Sequence, residues 1–263
     1  MPKIKVRDID IFYSTCGEGE PLILLAGLGS DHTFWTPIIE PLSKRFQTIL
    51  IDNRGVGQSD SPDTEYTTLL MAEDIIGCMD ALDLPKAHIM GHSIGGMISQ
   101  HMAISFPDRV ESLVLYSSFA KMSPRSLLPM KFNGELFTRG IEPALVLRNV
   151  VMWIHSNELL SSEDSITAAV KAMMESPHPQ SPVGFMRQLT ACEHHDTRGL
   201  LEKIHAPTLI ISGEDDIMST RINADTLTSG IPGSRLIVIP EMGHCSHLER
   251  PELFLEALMP FFN

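Results

Sequence analysis

Basic residues are in short supply in this 263-residue chain: 20 lysines and arginines face 33 aspartates and glutamates, a formal net charge of −13. Nucleic-acid binding needs a positive footprint to meet phosphate, so the balance argues against it and also disfavours anionic membrane surfaces. Long hydrophobic runs are missing as well. The opening Met1–Asp10 alternates charged and aliphatic residues without the apolar centre of a signal peptide. The apolar stretch Pro21–Leu28 is too short to span a bilayer. A cytoplasmic protein is the expectation. Cysteines number four, at positions 16, 78, 192 and 245, with no C-x-x-C pair. Neither a zinc site nor a disulfide framework is suggested, and free thiols are expected. Internal repeats and low-complexity segments are also absent. Against these shortages, 43% hydrophobic and 20% charged residues describe an ordinary globular protein. The length suits one large α/β domain, or such a domain with an insertion.

Eight strand-like segments alternate with helical ones. Lys3–Val6 and Ile9–Ser14 read as short strands around a polar turn. Pro21–Ala26 is a continuous apolar run, as a strand buried on both faces of a parallel sheet requires. A helix over Phe34–Leu42, a strand over Gln47–Ile51 and an amphipathic helix over Thr67–Leu82 follow, the last from the spacing of Met71, Ile75, Met79 and Leu82. Lys86–Met90 and Val110–Tyr116 are further strands on either side of a helix over Met97–Phe106. From Lys121 to Gln188 the rhythm breaks into helical patterns, Ala144–Ile154 and Ile166–Met174 among them, separated by proline-rich joints. Ser161 with Asp164 reads as a capping box, and Ser176–Pro179 and Ser181-Pro182 as turns. The rhythm resumes with strands at Pro207–Ser212 and Arg235–Ile239, a helix at Thr220–Thr228 and a last helix where Phe254, Leu258 and Phe261 share a face. A mostly parallel sheet with helices on both faces is expected.

Between the fifth strand and its helix stands Gly91-His92-Ser93-Ile94-Gly95. G-x-S-x-G at a strand–turn–helix is the nucleophile elbow, a strained turn that lifts the serine hydroxyl above a sheet. Serine is a poor nucleophile at neutral pH, so it needs a base within reach and a carboxylate to fix that base's tautomer. After the strand ending at Ser212 come three acids, Glu214, Asp215 and Asp216, and spacing from Gly213 favours Asp216. After the next strand comes Gly243-His244, the candidate base. His247 is the nearest rival for the base, though its place at the start of the last helix favours a cap or surface role, and Cys245 joins no Cys/His arrangement. An oxyanion hole needs two backbone amides. Ile94 follows the serine, and Leu28 in the flexible Gly27-Leu28-Gly29-Ser30 loop is the second candidate.

Gly91 to Gly96, Asp52-Asn53-Arg54-Gly55-Val56-Gly57-Gln58-Ser59, Gly213 to Asp216 and Gly243-His244, in this order, resemble the α/β-hydrolase family over nearly the whole chain. Within it the sequence is similar to the capped branch of small carboxylesterases, 3-oxoadipate enol-lactonases and C–C bond hydrolases. The resemblance implies a core at 1–120 and 189–263 and a helical lid at 121–188, inserted after strand six and covering Ser93. It further implies a catalytic triad of Ser93, Asp216 and His244 that hydrolyses an ester or lactone of a small, mostly apolar substrate, without cofactor or metal. C–C hydrolysis of a vinylogous diketone, a slow-turnover small-molecule receptor and a cofactor-free oxidative use of the scaffold are the alternatives, and monomer or homodimer stays open. One departure is Ala26-Gly27, where the family usually has His-Gly.

Other features read as structural. The G-x-G within 52–59 lacks the third glycine and helix opening of a dinucleotide fingerprint. His194-His195-Asp196 reads as part of the return to the core rather than as metal ligands. His92 is expected to pack beneath the elbow. The methionines at 130, 152, 173, 174 and 186 read as core filler, with an adaptable apolar pocket as the alternative.

Overall fold

A computed structural model describes residues 2–263. Eight strands form one sheet: β1 (Lys3–Val6), β2 (Ile9–Cys16), β3 (Glu20–Leu25), β4 (Phe46–Ile51), β5 (Ala87–His92), β6 (Val110–Tyr116), β7 (Thr208–Gly213) and β8 (Arg235–Ile239). Their spatial order is β1-β2-β4-β3-β5-β6-β7-β8. Only β1–β2 and β2–β4 pair antiparallel; every other pairing is parallel. The expected α/β architecture is the one found.

Side chains on a strand alternate between faces, and here both faces are buried, which is why the central strands carry apolar runs such as Leu22–Leu25, Ile49–Ile51 and Leu113–Tyr116. Ile23, Leu25, Ile49, Ile51, Ile89, Leu113 and Leu115 join one core with α2 (Thr68–Ala81) and α3 (Ile94–Ser105). Leu22, Leu24, Leu50, Met90, Val114 and Tyr116 join the other, against α1 (Thr36–Ser43) and, late in the chain, α11 (Pro251–Leu258).

Between β6 and β7 run five helices without a strand: α4 (Pro124–Thr138), α5 (Pro143–Ile154), α6 (Asn157–Leu160), α7 (Glu163–Met174) and α8 (Pro182–His194). The remaining helices are α9 (Arg221–Gly230) and α10 (Ser246–Glu249). Two local expectations are corrected here. Ser181-Pro182 is the start of α8 and not a turn: the Ser181 hydroxyl accepts the Gly184 amide at 3.0 Å, and proline occupies the first helical position, where its missing N–H costs nothing. Ser123-Pro124 opens α4 in the same way. The cap of α7 is Ser162, which accepts from the Ser165 amide at 3.2 Å, whereas Ser161 closes α6.

Backbone anchors tie this helical segment to the carboxyl edge of the sheet. The Asn157 amide donates to Asp215 Oδ2 (3.0 Å), the Cys245 amide to the Ile154 carbonyl (3.3 Å), and the Ser156 amide to Glu249 Oε1 (3.2 Å). At the opposite side Gln188 Nε2 donates to the Arg54 carbonyl at 2.7 Å, and Gly184 lies so close to Gly55 that a Cβ there would strike its backbone. Neither α6 nor α7 contains a fully buried residue.

The loop after β4 is held by a buried ion pair. Arg54 (2% exposed) meets Asp74 through Nε and, at 2.8 Å, through Nη2, and its guanidinium stacks 5.3 Å from the Tyr66 ring. Arg7 reaches the same carboxylate from α2's solvent side at 2.8 Å. Removing one partner of such a pair strands the other charge in a dry interior. Asp74→Ala is therefore expected to cost about 3–5 kcal/mol of stability by urea denaturation. A loss below about 1 kcal/mol would show that the pair is solvated and unimportant.

Candidate active site

The geometry of the elbow comes from glycine. A Cβ on Gly95 would run into the Leu25 carbonyl of β3, and one on Gly91 into the backbone of Gly95 and Gly96. β3, β5 and α3 consequently meet closer than side chains allow, and the turn residue between them is forced to φ 53°, ψ −116°. That residue is Ser93. A non-glycine there carries strain of about 1–3 kcal/mol, which the surroundings hold: the Ser93 amide donates to the Tyr116 carbonyl (3.0 Å), while its carbonyl accepts Gly96 N (3.0 Å), Met97 N (3.2 Å) and Ser118 Oγ (2.8 Å). Ile94 and Gly95 supply the first amides of α3, for which the helix itself offers no carbonyl.

His244 Nδ1 lies 2.8 Å from Asp216 Oδ2, and both residues are 4% exposed. The other carboxylate oxygen of Asp216 accepts the amides of Met218 (2.9 Å) and Ser219 (2.8 Å), which fixes its plane. With Nδ1–H held by the carboxylate, the imidazole keeps Nε2 as its free basic nitrogen. The three competing acids are sorted by their partners. Asp215 receives the Asn157 amide, and Glu214 receives the Glu241 amide (3.2 Å) at the exposed rim.

His92, buried at 3% exposure, is the piece that sequence reasoning only half supplied. It packs under the elbow as expected, with its ring 4.7 Å from those of Phe34, Tyr116 and His244. Its Nε2–H also donates to the His244 carbonyl at 3.0 Å, so the residue before the serine holds the loop that carries the histidine. Burial, helped by the two neighbouring histidines, pushes its pKa well below the ordinary value. Its Nδ1 faces Gly27, 2.7 Å from where a Cβ would stand, so only glycine fits there.

The next residues make a tight turn: Ser30 N donates to the Gly27 carbonyl at 3.1 Å, with Gly29 at φ 81° in the position that demands glycine. Leu28 lies at its tip, half-buried, its side chain packed against Met130, Phe185, Leu189 and Met218. Ala26, at the family's usual histidine position, is fully buried, and its carbonyl accepts Asn53 Nδ2 at 3.3 Å. Asp52 orders the loop after β4 by accepting His32 N (2.7 Å), His32 Nδ1 (2.9 Å) and Gln58 N (2.8 Å), and its bond to the His32 ring raises that ring's pKa.

His247 is a correction. It is no surface cap: its ring is fully buried, with Nδ1 3.1 Å from the Tyr116 hydroxyl and Nε2 donating to the Phe34 carbonyl at 2.8 Å. The aromatic side chains that enclose it left no periodic signal. His194 and His195 point apart, the first to solvent and the second into the core against Thr68 Oγ1 (2.9 Å). Among the described residues no group of three or more histidines, cysteines or acids is arranged to hold a metal. The methionines divide: Met130 and Met186 pack near Leu28, whereas Met152 and Met174 are exposed. All four cysteines are free thiols.

Fold and site together define an α/β hydrolase. Residues 20–251 match the alpha/beta hydrolase fold family, and the chain belongs to it. Its particular resemblances run to several activities. A protein of Caulobacter sp. (strain K31), provisionally named carbamate hydrolase RutD, is 30% identical over 97% of this chain and 94% of its own length. The enol-lactonase of Burkholderia xenovorans LB400 superposes with a TM-score of 0.87 at 25% identity, covering 99% of both chains. Est816, described as an N-acyl homoserine lactone degrading enzyme, does so at 0.83 and 29%, covering 99% of this chain and all of its own.

Burial depresses His195 to a pKa of about 3 and His247 to about 4, against an ordinary 6.5. Both rings are therefore neutral in the folded protein while the unfolded chain takes up protons below pH 6.5. Stability is complete above that value and drains away as pH falls toward the folded pKa values. Urea titrations are expected to show about 2 kcal/mol lost per ring between pH 7 and 5, and His247→Asn should flatten its share of the slope. A profile with the same slope in the variant would contradict the buried neutral ring.

Proposed function

We propose that this protein is a serine hydrolase that cleaves the ester or lactone bond of a small, mostly apolar substrate through an acyl-enzyme. The observation that carries the reading is the buried Asp216–His244 contact at 2.8 Å, set beside an elbow that holds Ser93 at positive φ. Ser93 is the nucleophile, His244 the general base and Asp216 the residue that fixes its tautomer.

His244 Nε2 takes the Ser93 hydroxyl proton as Oγ attacks the substrate carbonyl. The oxyanion that forms is met by the amides of Ile94 and Leu28. Collapse breaks the acyl–oxygen bond, and His244 gives its proton to the departing alkoxide. A water then repeats the sequence with His244 again as base, releasing the acid and restoring Ser93.

The helical segment, residues 121–188, is the lid in this reading. Its anchoring beside Asp216 and His244, and the packing of Met130 and Phe185 with Leu28, support that placement over Ser93. The apolar side chains supply a dry wall for a small substrate. Among the described residues no helix is long and apolar enough to cross a membrane, and we place the enzyme in the cytoplasm. The name of the Caulobacter relative makes a carbamate the second carbonyl to test.

Ser93→Ala is expected to lower kcat on a short aryl ester by at least about 10³-fold while leaving the thermal midpoint near that of the parent. A variant that kept more than about a tenth of the activity would remove Ser93 from the mechanism, and a single burst followed by a stall would point to a slow-turnover receptor.

A further inference from the structure

Two glutamines on the helical segment lock one another in place. Gln188 Nε2 donates to the Arg54 carbonyl at 2.7 Å, so its Oε1 is the acceptor end. That oxygen receives Gln180 Nε2 at 2.9 Å, and the same Gln180 nitrogen also donates to the Gly55 carbonyl at 2.9 Å. Both protons of the Gln180 amide are thus committed. Turning the amide over would set its oxygen against two acceptors, so the orientation is fixed by the network and not by choice.

What the network leaves over is Gln180 Oε1. It is buried and has no partner among the described residues. It lies 3.8 Å from the point where a Cβ would stand on Gly29, the residue after Leu28, which puts it within about 9 Å of the Leu28 Cα. On α8 the following residues Phe185, Met186 and Leu189 pack with Leu28 in an apolar cluster. A hydrogen bond made in such surroundings counts for more than one made in water, and leaving a buried acceptor unmet is unfavourable.

We propose that Gln180 is a specificity-determining residue whose amide oxygen accepts a hydrogen bond from a neutral donor, a hydroxyl or an amide N–H, carried by the substrate a few bonds from the scissile carbonyl. The inference rests on the serine-hydrolase reading above, since Leu28 marks where that carbonyl oxygen sits. A neutral donor is the match because an amide oxygen cannot neutralise a buried ammonium group. The preferred substrates on this account are hydroxy-acyl or acylamino-acyl esters and lactones rather than plain alkanoates.

Two pairs of 4-nitrophenyl esters test it: 3-hydroxybutyrate against 3-methoxybutyrate, and N-acetylglycine against N-acetylsarcosine. The kcat/KM ratio within each pair is measured in the parent protein and in Gln180→Met, so that general losses of turnover and intrinsic reactivity cancel. For at least one pair the parent ratio should exceed the variant ratio by about tenfold or more, and the pair that responds names the donor. Equal ratios in parent and variant for both pairs overturn the proposal while leaving Ser93-dependent turnover intact. Absence of Ser93-dependent turnover on all four esters would overturn the hydrolase reading and this inference with it. Should Gln180→Met fail to fold, the parent ratios divided by those of hydroxide-catalysed hydrolysis give the same reading, with values near one overturning it.

Discussion

The site depends on how near β3, β5 and α3 approach one another at the elbow. Gly95 meets the Leu25 carbonyl with no room for a methyl group, and Gly91 meets the start of α3 in the same way. That closeness fixes the backbone of Ser93, and the other parts take their positions from it. His92 projects from the same turn and holds the His244 carbonyl, while Ser118 beside β6 holds the Ser93 carbonyl. A serine, a histidine and an acid from three distant parts of the chain thereby share one reference point.

The sheet and the chain order of the candidate serine, acid and histidine were legible because each leaves a short-range trace. A strand segment buried on both faces must be apolar, so Leu22–Ala26, Ile49–Ile51, Leu113–Tyr116 and Leu209–Ile211 stand out as short apolar runs bounded by glycine and polar residues. Elbow glycines must lie two residues either side of the serine. The acid and the base must follow consecutive late strands. Such constraints act within a few residues, where a sequence can display them.

What escaped were features decided by distant neighbours. His247 lies in a polar context and faces water on paper, yet Tyr116 and Phe34 enclose it from 131 and 213 residues away. Ser181-Pro182 carries turn chemistry and helix-start chemistry alike, and only the apolar residues that follow, packed on Leu28, decide between them. Glu214, Asp215 and Asp216 are nearly equivalent by composition, and spacing from Gly213 favoured the last without showing what separates them. Their separation comes from the amides that meet them, Glu241 for the first, Asn157 for the second, Met218 and Ser219 for the third.

The uneven fastening of the helical segment bears on how such a protein changes over generations. Around Ile154 to Asn157 its anchors are backbone groups, whereas from Gln180 to Gln188 they are side chains, the amides of the two glutamines and the Arg187 guanidinium. The helices between, α6 and α7, bury no residue completely. Substitutions there meet little resistance from the core, and an anchor that relies on a backbone amide survives almost any change of side chain except to proline. A lineage can therefore reshape this stretch by drift, while the packing of the sheet beneath it is held by a different set of positions.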